Sequence, residues 1–205
     1  MSNIWIEEYK KFHREHSDYG SGGAIKFYWK HIDDLIKDTK TETLLDYGCG
    51  KGTVYEVNDW GWPKPSLYDP AIPEFENLPD GPFHGIISTD VMEHIPEEQL
   101  PQIFEEIYTR AERFVFLGIA TSPSKNILPN GENAHCTIEN IGWWKSMIEK
   151  YAPKQIYTHI KTYGKCNNYE ILWEESYLEW FIEEGVNLKE KSIKDFLDKN
   201  FDSKY

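Results

Sequence analysis

The stretch LLDYGCGKGT, residues 44–53, decides how this chain is read. Leu44 and Leu45 have the character of a buried strand end, and Gly48, Gly50 and Gly52 follow within five positions. Glycine tolerates left-handed backbone and lets the main chain come close to a ligand, so this cluster marks a turn built around something. Thr53 is placed to cap a helix start. A strand, a glycine turn and a helix start make up the nucleotide-cradling unit of open α/β sheets.

Outward from that stretch the chain alternates. An amphipathic helix is predicted over residues 4–16, DYGSGG (18–23) breaks it, and a second helix follows over 27–37. After Thr53 a short helix runs to Gly61, where Pro63 and Pro65 forbid its continuation. Further strands are expected at SLYDP (66–70), GIISTD (85–90) and RFVFLGIA (113–120), with helices over 96–111 and from about Ile138 to Tyr151. KQIYTHIK (154–161) and NYEILWEE (168–175) are placed to pair as an antiparallel hairpin.

The pattern predicts a Rossmann-like, doubly wound α/β fold, mostly parallel with a terminal antiparallel strand. We expect a single domain: a helical cap over 1–40, a core over 41–175 and a helical C-terminal extension over 176–205. Such sheets bind ligands at the carboxyl ends of their strands. Those ends are DYGCGKG, YDP, STDVMEH and the loop of residues 120–135, and every unusual polar cluster falls at one of them.

Bulk properties narrow the function. A chain of 205 residues with 40% hydrophobic and 28% charged residues is long enough for a sizeable core. The formal net charge of −13 argues against general nucleic-acid binding, in which phosphate neutralisation supplies most of the affinity. No basic-then-apolar leader opens the chain and no apolar run nears about 18 residues, so a cytoplasmic protein without a membrane partner is expected. Cys49, Cys136 and Cys166 are far apart with no CxxC, which argues for reduced thiols and against a zinc or iron–sulfur site. No metal is expected.

Spacing separates the rival glycine turns. A P-loop needs a glycine five residues before its Gly-Lys pair and a Ser or Thr after it. Gly50-Lys51 is followed by Gly52, and residue 45 is Leu. The dinucleotide pattern GxGxxG is also unmet, and a carboxylate at Asp46 would oppose a pyrophosphate. A ligand bearing a cationic amine suits it better.

DYGCGKG (46–52) resembles the DxGxGxG first motif of the class I S-adenosylmethionine-dependent methyltransferases, and the resemblance runs over roughly residues 19–175. Asp69 follows Gly52 by 17 residues, where the family has the acidic residue that holds the ribose hydroxyls. FHGIISTDVMEHIPEEQL (83–100) resembles the family's fourth-strand segment, with its acidic residue and Glu-His-Ile tail. The compact form, with LPNGENAH and a Trp143-Trp144 pair, is most similar to small stand-alone enzymes of phage and bacterial genomes.

The resemblance implies S-adenosylmethionine as cofactor and S-adenosylhomocysteine as product. It implies cofactor contacts from Tyr19, Asp46, Gly48, Cys49, Gly50, Asp69, Pro70 and Asp90, with Tyr19 and Gly20 in a segment that either closes over the cofactor or is ordinary linker. The family's third strand shrinks here to IPEFENLPDG (72–81), leaving Glu74 or Asn77 as the adenine partner. Catalysis falls to His135, Asp90 and His94. His135 lies in the loop that faces the acceptor and is suited to proton removal near neutral pH, or else it anchors that loop; His94 reaches the cleft or fills a core slot.

The expected acceptor is a small molecule or an exposed group on a larger one, methylated on oxygen or nitrogen. The Pro-Pro-aromatic motif of amino-methylating DNA enzymes is missing after STD, and no Pro-Cys dipeptide occurs. Two other readings remain: a catalytically inactive S-adenosylmethionine-binding sensor or assembly protein, and a nicotinamide oxidoreductase on a similar sheet.

Overall fold

The computed structural model describes residues 4–165 and 171–177. Residues 178–205, which make up nearly all of the expected C-terminal extension, lie outside the described residues, as does Cys166; Ser176 and Tyr177 belong to the last strand. Six strands form one sheet: β1 (Leu44–Tyr47), β2 (Ser66–Tyr68), β3 (Phe83–Thr89), β4 (Ala111–Ala120), β5 (Tyr157–Lys165) and β6 (Ile171–Tyr177), in the order β2-β1-β3-β4-β5-β6. β2 through β5 form a five-stranded parallel array with β1, and β6 pairs antiparallel to β5.

Helices cover both faces, as a parallel sheet requires. Strand alternation sorts the apolar side chains between them. Leu44, Ile87, Phe114 and Phe116 face α2 (Ile25–Asp38), packing against Ile25, Tyr28, Ile32 and Leu35. Leu45, Ile86, Val115 and Leu117 face the opposite way, against Phe104 and Ile107 of α4 (Leu100–Tyr108) and Trp144 and Ile148 of α5 (Ile141–Ile148). Trp144 is thus a core residue, whereas Trp143 is only partly buried beside it. α1 (Ile4–Glu15) joins neither layer. Its Tyr9 and Phe12 pack on Ala71, Leu128 and Ala134, all from loops at the carboxyl end of the sheet.

Several local expectations shift. α3 is a single turn, Val54–Val57, and Thr53 does not cap it: its backbone is itself helical (φ −63, ψ −20) and its hydroxyl donates to the Ser21 carbonyl at 3.0 Å. The real cap is Asn140, whose side chain accepts the Trp143 amide at 3.0 Å and opens α5 later than expected. The helix expected from residue 96 begins as a 3-10 turn, Glu97–Gln99, before α4. Where the resemblance places a third strand there is a 3-10 turn, Pro73–Phe75, which leaves β2 at the sheet edge. Among the described residues no helix is long and apolar enough to cross a membrane.

The chain leaves β2 on one side of β1 and enters β3 on the other. At that reversal the loops diverge and open a crevice above the strand ends.

Candidate active site

The crevice is a cavity of about 680 Å³, a size that suits a cofactor with room beside it. Its floor comes from the carboxyl ends of β1 to β4, and its roof from α1 and the 19–23 segment. Among the described residues, Asp69, Asp90 and Glu106 line it against one ammonium, that of Lys125, so the cavity favours a cationic ligand.

One end is built on the glycine turn. Gly48 and Gly50 are left-handed, at φ 89 and 57. A Cβ on Gly50 would stand 2.2 Å from the Gly20 carbonyl oxygen, and one on Gly48 2.2 Å from a Val91 methyl. The bare turn therefore admits the 19–23 segment as much as a ligand. Gly20 is fixed there by accepting the Lys51 amide at 2.6 Å, while the Lys51 ammonium donates to the Ser17 carbonyl at 2.6 Å. Tyr19 and Pro70 line the cavity beside it.

Asp69 sits between this turn and the next loop. Its Oδ2 accepts the Gly50 amide and its Oδ1 the Ala71 amide, both at 2.9 Å. Burial pushes its pKa up, and the two amide bonds oppose that shift. A carboxylate offers about four lone-pair sites, so two remain for hydroxyls in the cavity. Asp46 is placed differently: strand alternation turns it away, where it accepts the Tyr55 phenol at 2.8 Å, and burial raises its pKa to about 7. Neither Asp46 nor Cys49, whose thiol donates to the Gly50 carbonyl at 3.3 Å, lines the cavity. Glu74 and Asn77, the two adenine candidates, are both exposed and also outside the lining.

The other end is assembled from distant parts of the chain. Asp90 ends β3 in a left-handed conformation (φ 56), which is unusual for a residue with a side chain and concentrates at working sites. Its carboxylate accepts the Tyr28 phenol at 3.2 Å and the Tyr163 phenol at 2.8 Å. Burial raises its pKa to about 6, and the two phenols hold it from rising further. Tyr28 reaches it because Gly118 carries no side chain; a Cβ there would be 2.6 Å from the ring.

Glu93 is fully buried, with one carboxylate oxygen accepting the Ala120 amide at 3.0 Å. Its backbone carbonyl receives the Cys136 and Thr137 amides at 2.9 and 3.1 Å, which ties the β3 end to the loop after β4. That tie brings His94 and His135 together, with ring centroids 4.7 Å apart at 82°. His94 Nδ1 donates to the Ala134 carbonyl at 2.9 Å, with the Tyr9 hydroxyl 2.7 Å away. His135 Nδ1 donates to the Ser122 carbonyl at 2.6 Å. With Nδ1 donating in each ring, Nε2 carries the lone pair. Burial, reinforced by His135, pushes the His94 pKa down to about 3, and burial lowers His135 as well, so both rings are neutral.

Tyr19, Gly48, Gly50, Asp69, Pro70, Asp90, His94 and His135 thus share one cavity. Sequence reasoning missed Tyr9, Tyr28 and Tyr163, which brace Asp90 and His94, and it set Glu93 beside His94 at the cleft without giving it a role. The tyrosines carry no spacing signal. Glu93 was readable from the acidic residue-x-x-Glu-His run that ends β3.

A methyltransferase-domain family model matches residues 23–164. No curated protein and no solved structure matches the chain.

Proposed function

The chain belongs to the class I S-adenosylmethionine-dependent methyltransferases, and on that premise we propose that it methylates an oxygen or nitrogen of a small molecule, or of a group exposed on a larger one. Bound in the cavity, S-adenosylmethionine supplies a methyl already activated by its sulfonium and leaves as S-adenosylhomocysteine. The observation that carries this reading is the pairing, in one cavity of about 680 Å³, of a partly satisfied carboxylate at Asp69 with two neutral imidazoles at its other end.

In this reading Asp69 accepts the ribose hydroxyls on its two remaining lone-pair sites, through charge-assisted bonds stronger than neutral ones. Gly48 and Gly50 give the methionine part a floor without side chains, and Pro70 flanks the nucleoside. Tyr19 closes the cavity from above. Asp90 presents negative charge toward the cationic centre. Asp46 and Cys49 act from behind the turn by holding its shape. The chain's main work in methyl transfer is alignment, because the donor needs no further activation. His94 and His135 turn their Nε2 lone pairs toward the acceptor and draw on its proton.

Calorimetry with S-adenosylmethionine, followed by a methyl-labelled donor offered to fractionated small-molecule and macromolecular pools, tests this. We expect cofactor binding and label transfer to one fraction. Binding with no transfer to any acceptor would instead support a cofactor sensor, and a preference for NAD would remove the methyl donor altogether.

A further inference from the structure

Glu93, His94 and His135 form a cluster that the fold pays special attention to holding together. One donor atom from each lies within 4.8 Å of the others. The second carboxylate oxygen of Glu93, Oε2, is buried and has no hydrogen-bond partner. An orphaned buried acceptor of that kind is costly, and in a folded protein it calls for an explanation. The imidazoles supply one. Each uses Nδ1 on a backbone carbonyl, Ala134 for His94 and Ser122 for His135. That is the outer-sphere arrangement that fixes a metal-ligating tautomer and aims Nε2 at an ion.

We propose that Glu93, His94 and His135 bind a first-row divalent cation, with its open positions facing the cavity and taking an oxygen of the methyl acceptor. Two imidazoles and one carboxylate suit zinc, iron, cobalt or manganese rather than calcium or magnesium, whose sites are all oxygen. Zinc-class bonds of about 2.0–2.2 Å draw the three donors inward by side-chain rotation.

The role of the ion rests on the methyltransferase reading, whereas its binding does not. An acceptor hydroxyl on the cation becomes more acidic at neutral pH. As the methyl moves, the carbon–sulfur bond breaks with its electron pair returning to sulfur, a carbon–oxygen bond forms, and the hydroxyl proton, which His94 and His135 no longer draw once their Nε2 lone pairs hold the ion, passes to water in the open cavity. The acceptor class that follows is an oxygen nucleophile, with a neighbouring oxygen able to share the ion.

The test titrates the full-length, chelator-stripped protein with Co²⁺, read by visible absorption and equilibrium dialysis. We expect one equivalent with the d–d bands of a nitrogen–oxygen site. Glu93→Gln and His135→Ala should each weaken it at least 100-fold, beyond the roughly 10–100-fold that removing an outer-sphere partner costs. His135→Ala lies on a partly exposed loop and carries the test if Glu93→Gln does not fold. A thiolate-to-cobalt charge-transfer band would place the ion on a cysteine instead, and unchanged affinity in both variants, or no stoichiometric binding, would also overturn the proposal. S-adenosylmethionine calorimetry on the stripped protein runs alongside: binding there without Co²⁺ uptake sinks the metal and spares the methyltransferase reading, and the reverse result does the opposite.

Discussion

At the glycine-turn end of the cavity, Gly48, Gly50 and Asp69 come from a span of barely two dozen residues and lock onto one another through backbone amides. At the histidine end, His94 meets His135 only because Glu93 receives two amides from the loop after β4 and Tyr9 reaches across from α1. The first is a local motif and the second a tertiary assembly. The difference teaches that, if cofactor affinity rests on the first and chemistry on the second as proposed, each can be broken without the other.

The largest expected effect is at the assembled end. His135→Ala should lower turnover by about 10²-fold or more, measured with saturating cofactor, and leave S-adenosylmethionine affinity unchanged. If cofactor affinity fell along with turnover, the two ends would be one site and the comparison would fail. Next, Asp69→Ala should weaken the cofactor by roughly 1.5–3 kcal/mol in calorimetry, without altering Co²⁺ uptake. Unchanged cofactor affinity would remove Asp69 from the ribose.

Gly50→Ala should follow, costing about 1–3 kcal/mol of stability in denaturant unfolding, because it combines a left-handed residue with a collision at Gly20. A neutral result would mean the 19–23 segment does not rest on the turn in solution. The smallest effect sharpens the comparison by its sign. Asp46 has a folded pKa of about 7, above the ordinary carboxylate value, so the folded state takes up a proton. Its contribution to stability is complete below about pH 4, the unfolded value, and is lost as pH rises through about 7. Asp46→Asn should flatten that slope, seen in urea unfolding at pH 5 and pH 8, while changing cofactor affinity little. A large loss of affinity would move Asp46 into the cavity.

The same division explains what the sequence made legible. The alternation of strand-like and helix-like segments made the parallel sheet legible, whereas the facing of Ile86 against Ile87 and of Val115 against Phe116 came from the structure. DYGCGKG and Asp69 were readable because their chemistry depends on short spacing. Asp46 was read as facing the ligand because a strand-end carboxylate shows its position in a sequence but not its direction; Tyr55 takes it the other way. Thr53 has the composition of a cap, yet Ser21, 32 residues earlier, competes for its hydroxyl. The third strand is missing because Pro73 and Pro79 leave too little extended chain between them. Tyr28 and Tyr163 look like core aromatics, and only the αL turn at Asp90 converges them on one carboxylate.

The span shared with the family begins at residue 23, whereas Trp5, Tyr9 and Tyr19 come before it. That part of the cavity's roof lies outside the matched span. Trp5 and Tyr9 also clasp His94 directly, the indole N–H on its carbonyl and the phenol at its ring. Any movement of that first helix therefore carries to His94, so the roof and the histidine end of the cavity are mechanically joined.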